Sequence, residues 1–320
     1  MSVSLVNQEE KRLNVEAVTW GKLTWFYIEK PSQNEVDYLA QNFPFHPLNL
    51  DDVISRVQRP KIDEYDDHLF IVLHFPVFDK ENRVTTPSEV DIFVSENYLV
   101  TIHKSADLKP LAKFFNECQI DEGTKQAYMS RSSSYLLYHM LDRLVNYCFP
   151  ILNKVIDNME KVEDLIFARP VPETVREIAL LRRDLISFRR VIHPQISVIE
   201  ALEHEEYPFF KEEQEVYFGD IADHVRKIWD GLEDSKEVVD GMVDTSNWLT
   251  SHRIQEVMRV LTIVMAIMAP ATLLASIYGM NIALPGGVNV GSLLPLILIL
   301  FIMLLIAVAM LYFFRRRRWL

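Results

Sequence analysis

The residues best suited to chemistry lie along one helical face near the C-terminus. Steps of three or four from Asp244 pass through Asn247, Ser251, Gln255, Met258, Thr262, Met265, Ala269, Thr272 and Ser276. Where the sequence is apolar, the neighbouring faces are mostly Ile, Leu, Val and Ala. A narrow face of methyl, thioether, amide and hydroxyl groups, opening on a carboxylate, can pass a hydrated cation without trapping it. Charged groups there would be costly and would hold a divalent ion too tightly. Met258 and Leu261 sit where such a path would close by dewetting. Small residues on membrane helices also serve helix packing, and the pattern alone leaves both readings open.

These residues need a scaffold. From Val260 to Phe314 there is no Asp, Glu, Lys or Arg. A hydrocarbon core takes roughly 20 apolar helical residues. The stretch holds two such lengths, about Val260–Tyr278 and about Leu293–Phe314, separated by Asn281–Gly291 with Pro285, Gly286, Gly287 and Gly291. Those breakers predict a hairpin rather than one long helix. Arg253 and Arg259 flank the first span and Arg315–Arg318 follow the second, so the positive-inside rule places both ends in the cytosol. Tyr312 and Trp319 suit an interfacial anchor there.

Before the first span the chain is acidic: all 45 Asp and Glu residues lie there, and the formal net charge of the whole chain is −12. Such a balance argues against nucleic acid as a partner, because few phosphates would be neutralised. The N-terminus has no apolar run of the signal-peptide kind, which predicts a cytosolic location for the first 250 residues or so. Cys118 and Cys148 are too few for a disulfide framework or zinc site and read as small apolar residues in helices. His46, His68, His74 and His103 fall in the same region without helical metal spacing, and there is no P-loop or Gly-x-Ser-x-Gly. Structural histidines and a non-enzyme are the expectation.

Residues 14–104 contain β-rich runs at Glu16–Ile28, Leu69–Phe78, Val90–Val94 and Tyr98–His103, with helices near Glu35–Asn42 and Leu50–Ser55. Ser134–Ala168 carries one apolar helical stripe, and Arg169–Thr174 breaks it before a second helix, about Val175–Glu203. Helix-compatible sequence then runs from about Glu213 to Tyr278, a rod of roughly 100 Å. A helix so long implies assembly with other copies. The expected organisation is an α/β domain at 1–130, an antiparallel helical arm at 131–207 and a stalk helix at 208–259. Beyond these lie a first span at 260–280, an external loop at 281–292, a second span at 293–314 and a basic tail at 315–320.

Tyr278-Gly279-Met280-Asn281 closes the first span. This Gly-Met-Asn tripeptide, with its preceding Tyr, resembles the signature of the CorA family of magnesium and cobalt transport proteins. Val260-Leu261-Thr262-Ile263 and Ala269-Pro270 resemble the family's first span, and Arg315–Leu320 its C-terminus. His46-Pro47-Leu48, Asp51-Asp52-Val53, Gln58-Arg59-Pro60-Lys61 and Tyr135-Leu136-Leu137-Tyr138 resemble its soluble part.

The resemblance implies a funnel-shaped homopentamer in the cell (inner) membrane: a cytosolic α/β domain, a long stalk and a membrane helical hairpin. It implies potential-driven Mg2+ uptake, closed by cytosolic Mg2+, with no organic cofactor. Gly279, Met280 and Asn281 would form the selectivity entrance, although Gly and Asn also suit a helix C-cap. Asp79 and Asp220 match the family's regulatory metal positions, and Asp223, one turn on from Asp220, is a third candidate. The loop Ile282–Ser292 lacks the acidic residue that many members carry. A Zn2+, Co2+ or Ni2+ transporter of the same superfamily is the alternative, and Met280 argues for magnesium.

Overall fold

The computed structural model describes residues 13–55, 57–104, 108–168, 172–210, 214–280, 294–317 and 319. The chain divides into two units, Met1–Val243 and Asp244–Leu320.

The first unit holds a six-stranded mixed sheet in the order β1-β2-β6-β5-β4-β3. Its strands are β1 (Val15–Trp20), β2 (Leu23–Glu29), β3 (Lys61–Glu64), β4 (Leu69–Asp79), β5 (Val84–Val94) and β6 (Tyr98–His103). Only β2 and β6 pair in parallel. The sequence run Glu16–Ile28 is in fact two strands. Trp20 pairs with Leu23 across Gly21-Lys22, and Gly21 supplies the left-handed φ of 60° that a two-residue hairpin demands. β4 and β5 are longer than the sequence suggests and form a deep hairpin from Leu69 to Val94.

One sheet face packs against α1 (Gln33–Asn42) and α2 (Pro47–Ile54) around Ile28, Leu39, Phe45, Val53, Phe70 and Phe93. Ser32 and Glu35 close a capping box on α1, and the His46 ring accepts from the Leu48 N–H to cap α2. Beyond the sheet, α3 (Lys109–Ile120) sets Phe114 and Phe115 against Trp25, each 5.1 Å away. The short α4 (Glu122–Met129) leads into the arm.

The stripe read across Ser134–Ala168 is carried by two helices, α5 (Ser133–Asn146) and α6 (Cys148–Ala168). Pro150 explains the break: it cannot donate to the Asn146 carbonyl, and its ring would clash with that carbonyl in a continuous helix. The apolar face survives the break, with Leu137, Leu144, Cys148, Val155 and Ile166 all buried. α7 (Pro172–His204) packs on α6 and on the β4–β5 hairpin. α8 (Gln214–Tyr278) is one 65-residue helix, close to the expected Glu213–Tyr278. α9 (Leu294–Arg316) is the last helix.

The second unit inverts the usual distribution. α8 and α9 each contain a segment long and apolar enough to cross a membrane, and those segments are almost wholly exposed. Val260, Leu261, Val264, Met268, Leu273, Leu298, Phe301 and Leu304 face outward.

Candidate ion path and metal centre

Asp244, Asn247, Ser251, Gln255, Met258, Leu261, Thr262, Met265, Ala269, Thr272 and Ser276 are all exposed, as a surface awaiting a path or partner must be. The less exposed positions in the same segment lie on another face: Ile263 is buried, and Ala266, Ile267, Pro270, Ala271 and Leu274 are half-buried. The hydroxyls of Thr262 and Thr272 donate to the carbonyls of Met258 and Met268, at 2.7 and 2.9 Å. With the hydrogen spent on the helix, each hydroxyl oxygen offers outward lone pairs. The waters of a hydrated cation point hydrogens outward, so acceptor groups are the useful lining.

Gly279 donates its N–H to the Ala275 carbonyl at 2.9 Å and ends the helix. A Cβ at Gly279 would lie 3.1 Å from that oxygen, so the position favours glycine at close approach rather than through a special φ. Met280 is exposed. Asn281, and the loop expected at 281–292, lie outside the described residues.

The three carboxylates picked from sequence have different surroundings. Asp79 ends β4 and holds the hairpin turn. It accepts from the N–H groups of Glu81 and Asn82 at 2.9 and 3.1 Å, and from the Asn82 side chain at 2.6 Å. These bonds, led by that side chain, keep its carboxyl below the usual range. Asp223 has a counter-ion on its own helix, Arg226 at 3.1 Å, which also pairs with Glu200 at 2.9 Å. Asp220 stands apart from both. It gathers with Asp142 of α5 and His224 one turn on, ligand atoms of all three lying within 4.8 Å of one another.

Neither Asp142 nor His224 was picked from sequence. Burial raises the Asp142 carboxyl, with nearby Asp220 adding to the rise and His224 opposing it. The Nδ1 atom of His224 is buried without a hydrogen-bond partner. Tyr138 donates to Asp220 at 3.4 Å, and its phenol is pushed up to about 12 by burial and by Asp142 and Asp220. Two carboxylates, an imidazole and a phenol converge here, a set compatible with a divalent cation.

The histidines in and beside the sheet have close partners: His68 stacks on Tyr65 with ring centroids 4.7 Å apart, His74 faces Glu89 at 3.5 Å, and His103 meets the Tyr27 hydroxyl at 2.8 Å. Cys118 and Cys148 are free and buried.

The CorA-like Mg2+ transporter protein family matches residues 20–316. The cobalt/magnesium transport protein CorA of Thermotoga maritima is 30% identical over 299 residues, 93% of this chain and 83% of that protein. The zinc transport protein ZntB of Yersinia pseudotuberculosis is more distant, 24% identical over 83% of this chain and 79% of its own. The complete structure of the CorA magnesium transporter from Methanocaldococcus jannaschii superposes with a TM-score of 0.81 at 24% identity, covering 95% of this chain and 94% of that one. The fold is shared across both units' lengths. With a match spanning nearly the whole chain and two apolar helices of membrane length, this protein belongs to the CorA-like Mg2+ transporter family and is a membrane protein.

Proposed function

We propose that this chain assembles as a funnel-shaped homopentamer in the cell (inner) membrane and conducts Mg2+ inward, driven by the membrane potential. Co2+ is a second cargo by analogy with the magnesium and cobalt relatives. Both termini are cytoplasmic. The observation that carries the reading is the exposed face of α8, uncharged beyond Asp244, which leads toward Gly279 and Met280 in a member of this family.

Five copies of that face, turned inward, would line a path that touches the hydration shell without replacing it. Mg2+ sheds water reluctantly, so neutral oxygens suit it better than a tight cage. The entrance is assigned to Gly279 and Met280 with Asn281, the last by sequence alone. A divalent ion gains about 4.6 kcal/mol per 100 mV moving inward, from about 2.3 per charge, and no organic cofactor is needed.

Closure follows capture of cytosolic Mg2+ at Asp79 and at the Asp220 centre, to which Asp142 and His224 belong. Asp223 contributes less, because Arg226 already neutralises it. A Zn2+, Co2+ or Ni2+ transporter is the second reading, favoured only by the thioethers of Met258 and Met265. The test is Mg2+ uptake into liposomes with and without an inside-negative potential, beside Asn281→Ala. Potential-driven uptake that the variant loses supports the channel and its entrance, while entry of Zn2+ with exclusion of Mg2+ would reassign the cargo.

A further inference from the structure

The β4–β5 hairpin carries Asp79 at its tip, and α7 grips that tip through its backbone. Along β5, β6 pairs with Val90–Val94 alone, which among the described residues leaves Val84–Glu89 with one edge unpaired by a strand. Side chains of α7 occupy that edge. The Thr85 N–H donates to the Asp184 carboxylate at 2.5 Å, and the Ser187 hydroxyl donates to the Thr85 carbonyl at 2.5 Å. Arg183 donates to the Asn82 carbonyl. Arg83, held at a left-handed φ of 51°, forks onto Glu177 at 3.0 and 2.7 Å.

From α6, Lys154 sits 3.6 Å over the Phe78 ring. Directional bonds matter at the tip because apolar packing there is incomplete. A cleft of about 240 Å³ opens between Phe78, Val162, Leu165 and Leu181. Asp184 itself is 4% exposed, so its bond to Thr85 is made in a poorly solvated place.

The Asp79 carboxylate is already committed to three donors, two of them on Asn82. A cation that takes its oxygens must displace or share those bonds. Asn82 then shifts, and Asn82 and Arg83 are the residues that Arg183 and Glu177 hold. We propose that the Asp79–Arg83 turn and α7 form one mechanical unit, with Glu177, Arg183, Asp184 and Ser187 reading ion capture at the tip and passing it along the arm. The proposal rests on the regulatory role of Asp79 given above.

The test uses the full-length protein, with hydrogen exchange measured with and without Mg2+ and inhibition of uptake by internal Mg2+ measured in liposomes. In the native protein Mg2+ slows exchange at the tip and along α7. In Glu177→Arg and in Asp184→Ala it slows exchange at the tip alone. The half-inhibiting Mg2+ concentration then rises roughly fivefold or more, the lower end of ordinary coupling between sites. The reciprocal pair R83E/E177R restores both responses, which a generally loosened fold would not do. Should Asp184→Ala fail to fold, Glu177→Arg and its reciprocal pair still decide the matter. A full α7 response with unchanged inhibition in the single variants would overturn the coupling. A native response that survives Asp79→Asn would instead remove the regulatory reading beneath it.

Discussion

Through Val243 most large apolar side chains are buried, whereas from Asp244 onward most of them face outward. Phe93 and Leu304 illustrate the contrast. Phe93 is fully buried, 3.9 Å from the Phe45 ring and 4.5 Å from Phe70. Leu304 is 62% exposed on α9. The hydrophobic effect explains the first unit as a self-sufficient core. It cannot explain the second in water, where such a surface would aggregate. A lipid bilayer supplies the surroundings that the single chain lacks in water.

The sharpest way to break this contrast is to truncate one residue of each kind. Phe93→Ala should cost about 3–5 kcal/mol and lower the unfolding midpoint of the soluble unit. Leu304→Ala should leave that midpoint unchanged, since it removes no packed contact in this unit. Equal effects in thermal melts would erase the distinction between the two regions.

The next effect is polar rather than steric. Leu304→Arg puts a charge near the middle of α9, at a cost of about 2.5–3.5 kcal/mol on insertion scales. The yield of membrane-inserted protein, measured by fractionation, should fall sharply. An arginine at exposed Ile120 of the first unit should leave yield and melting unaltered.

The smallest expected effect is on pH dependence and belongs to the first unit alone. His139 is half-buried among Tyr128, Tyr135 and Tyr138. Burial, aided by Arg143 and Arg131, lowers its value from 6.5 to about 4. The unfolded chain therefore binds the proton first. Stability is complete above pH 6.5 and declines as pH drops from 6.5 toward 4. Denaturant midpoints across that window should show the decline, and His139→Phe should flatten it. An unchanged slope in the variant would assign the titration elsewhere.

The two regions were also unequally legible. Composition and periodicity suffice for α8 and α9, because the membrane imposes length and the absence of charge over a long window. The sheet was read less well. β3, Lys-Ile-Asp-Glu, has no strand signal of its own and is extended only because it pairs with β4. The β1–β2 turn was hidden because the strand pattern runs through Gly21-Lys22. Pro150 was visible in the sequence, yet the stripe across it looked continuous because the apolar face resumes in phase. Asp142 could not be found by spacing, since α5, a helix distant in the chain, brings it to Asp220; His224, four residues beyond Asp220 on α8, does carry a legible i,i+4 spacing. The donors to Asp79 depend on the turn geometry of Glu81 and Asn82, whereas the Asp223–Arg226 pair follows from i,i+3 spacing on one helix. Asp79 is consequently a turn residue as well as a candidate ligand.

On the proposed reading, the Thr262–Ser276 face of α8 lines the ion path. Single cysteines at Met265, Ala269 and Thr272, and at Val264 and Leu304, which are exposed off that face, would test it with a charged thiol reagent during Mg2+ uptake into liposomes. The native thiols should not interfere: Cys118 and Cys148 are buried, and burial pushes the Cys118 thiol up to about 11. Rapid block is expected at positions 265, 269 and 272, with little effect at 264 and 304. Block at 264 and 304 with none along the face would contradict the assignment.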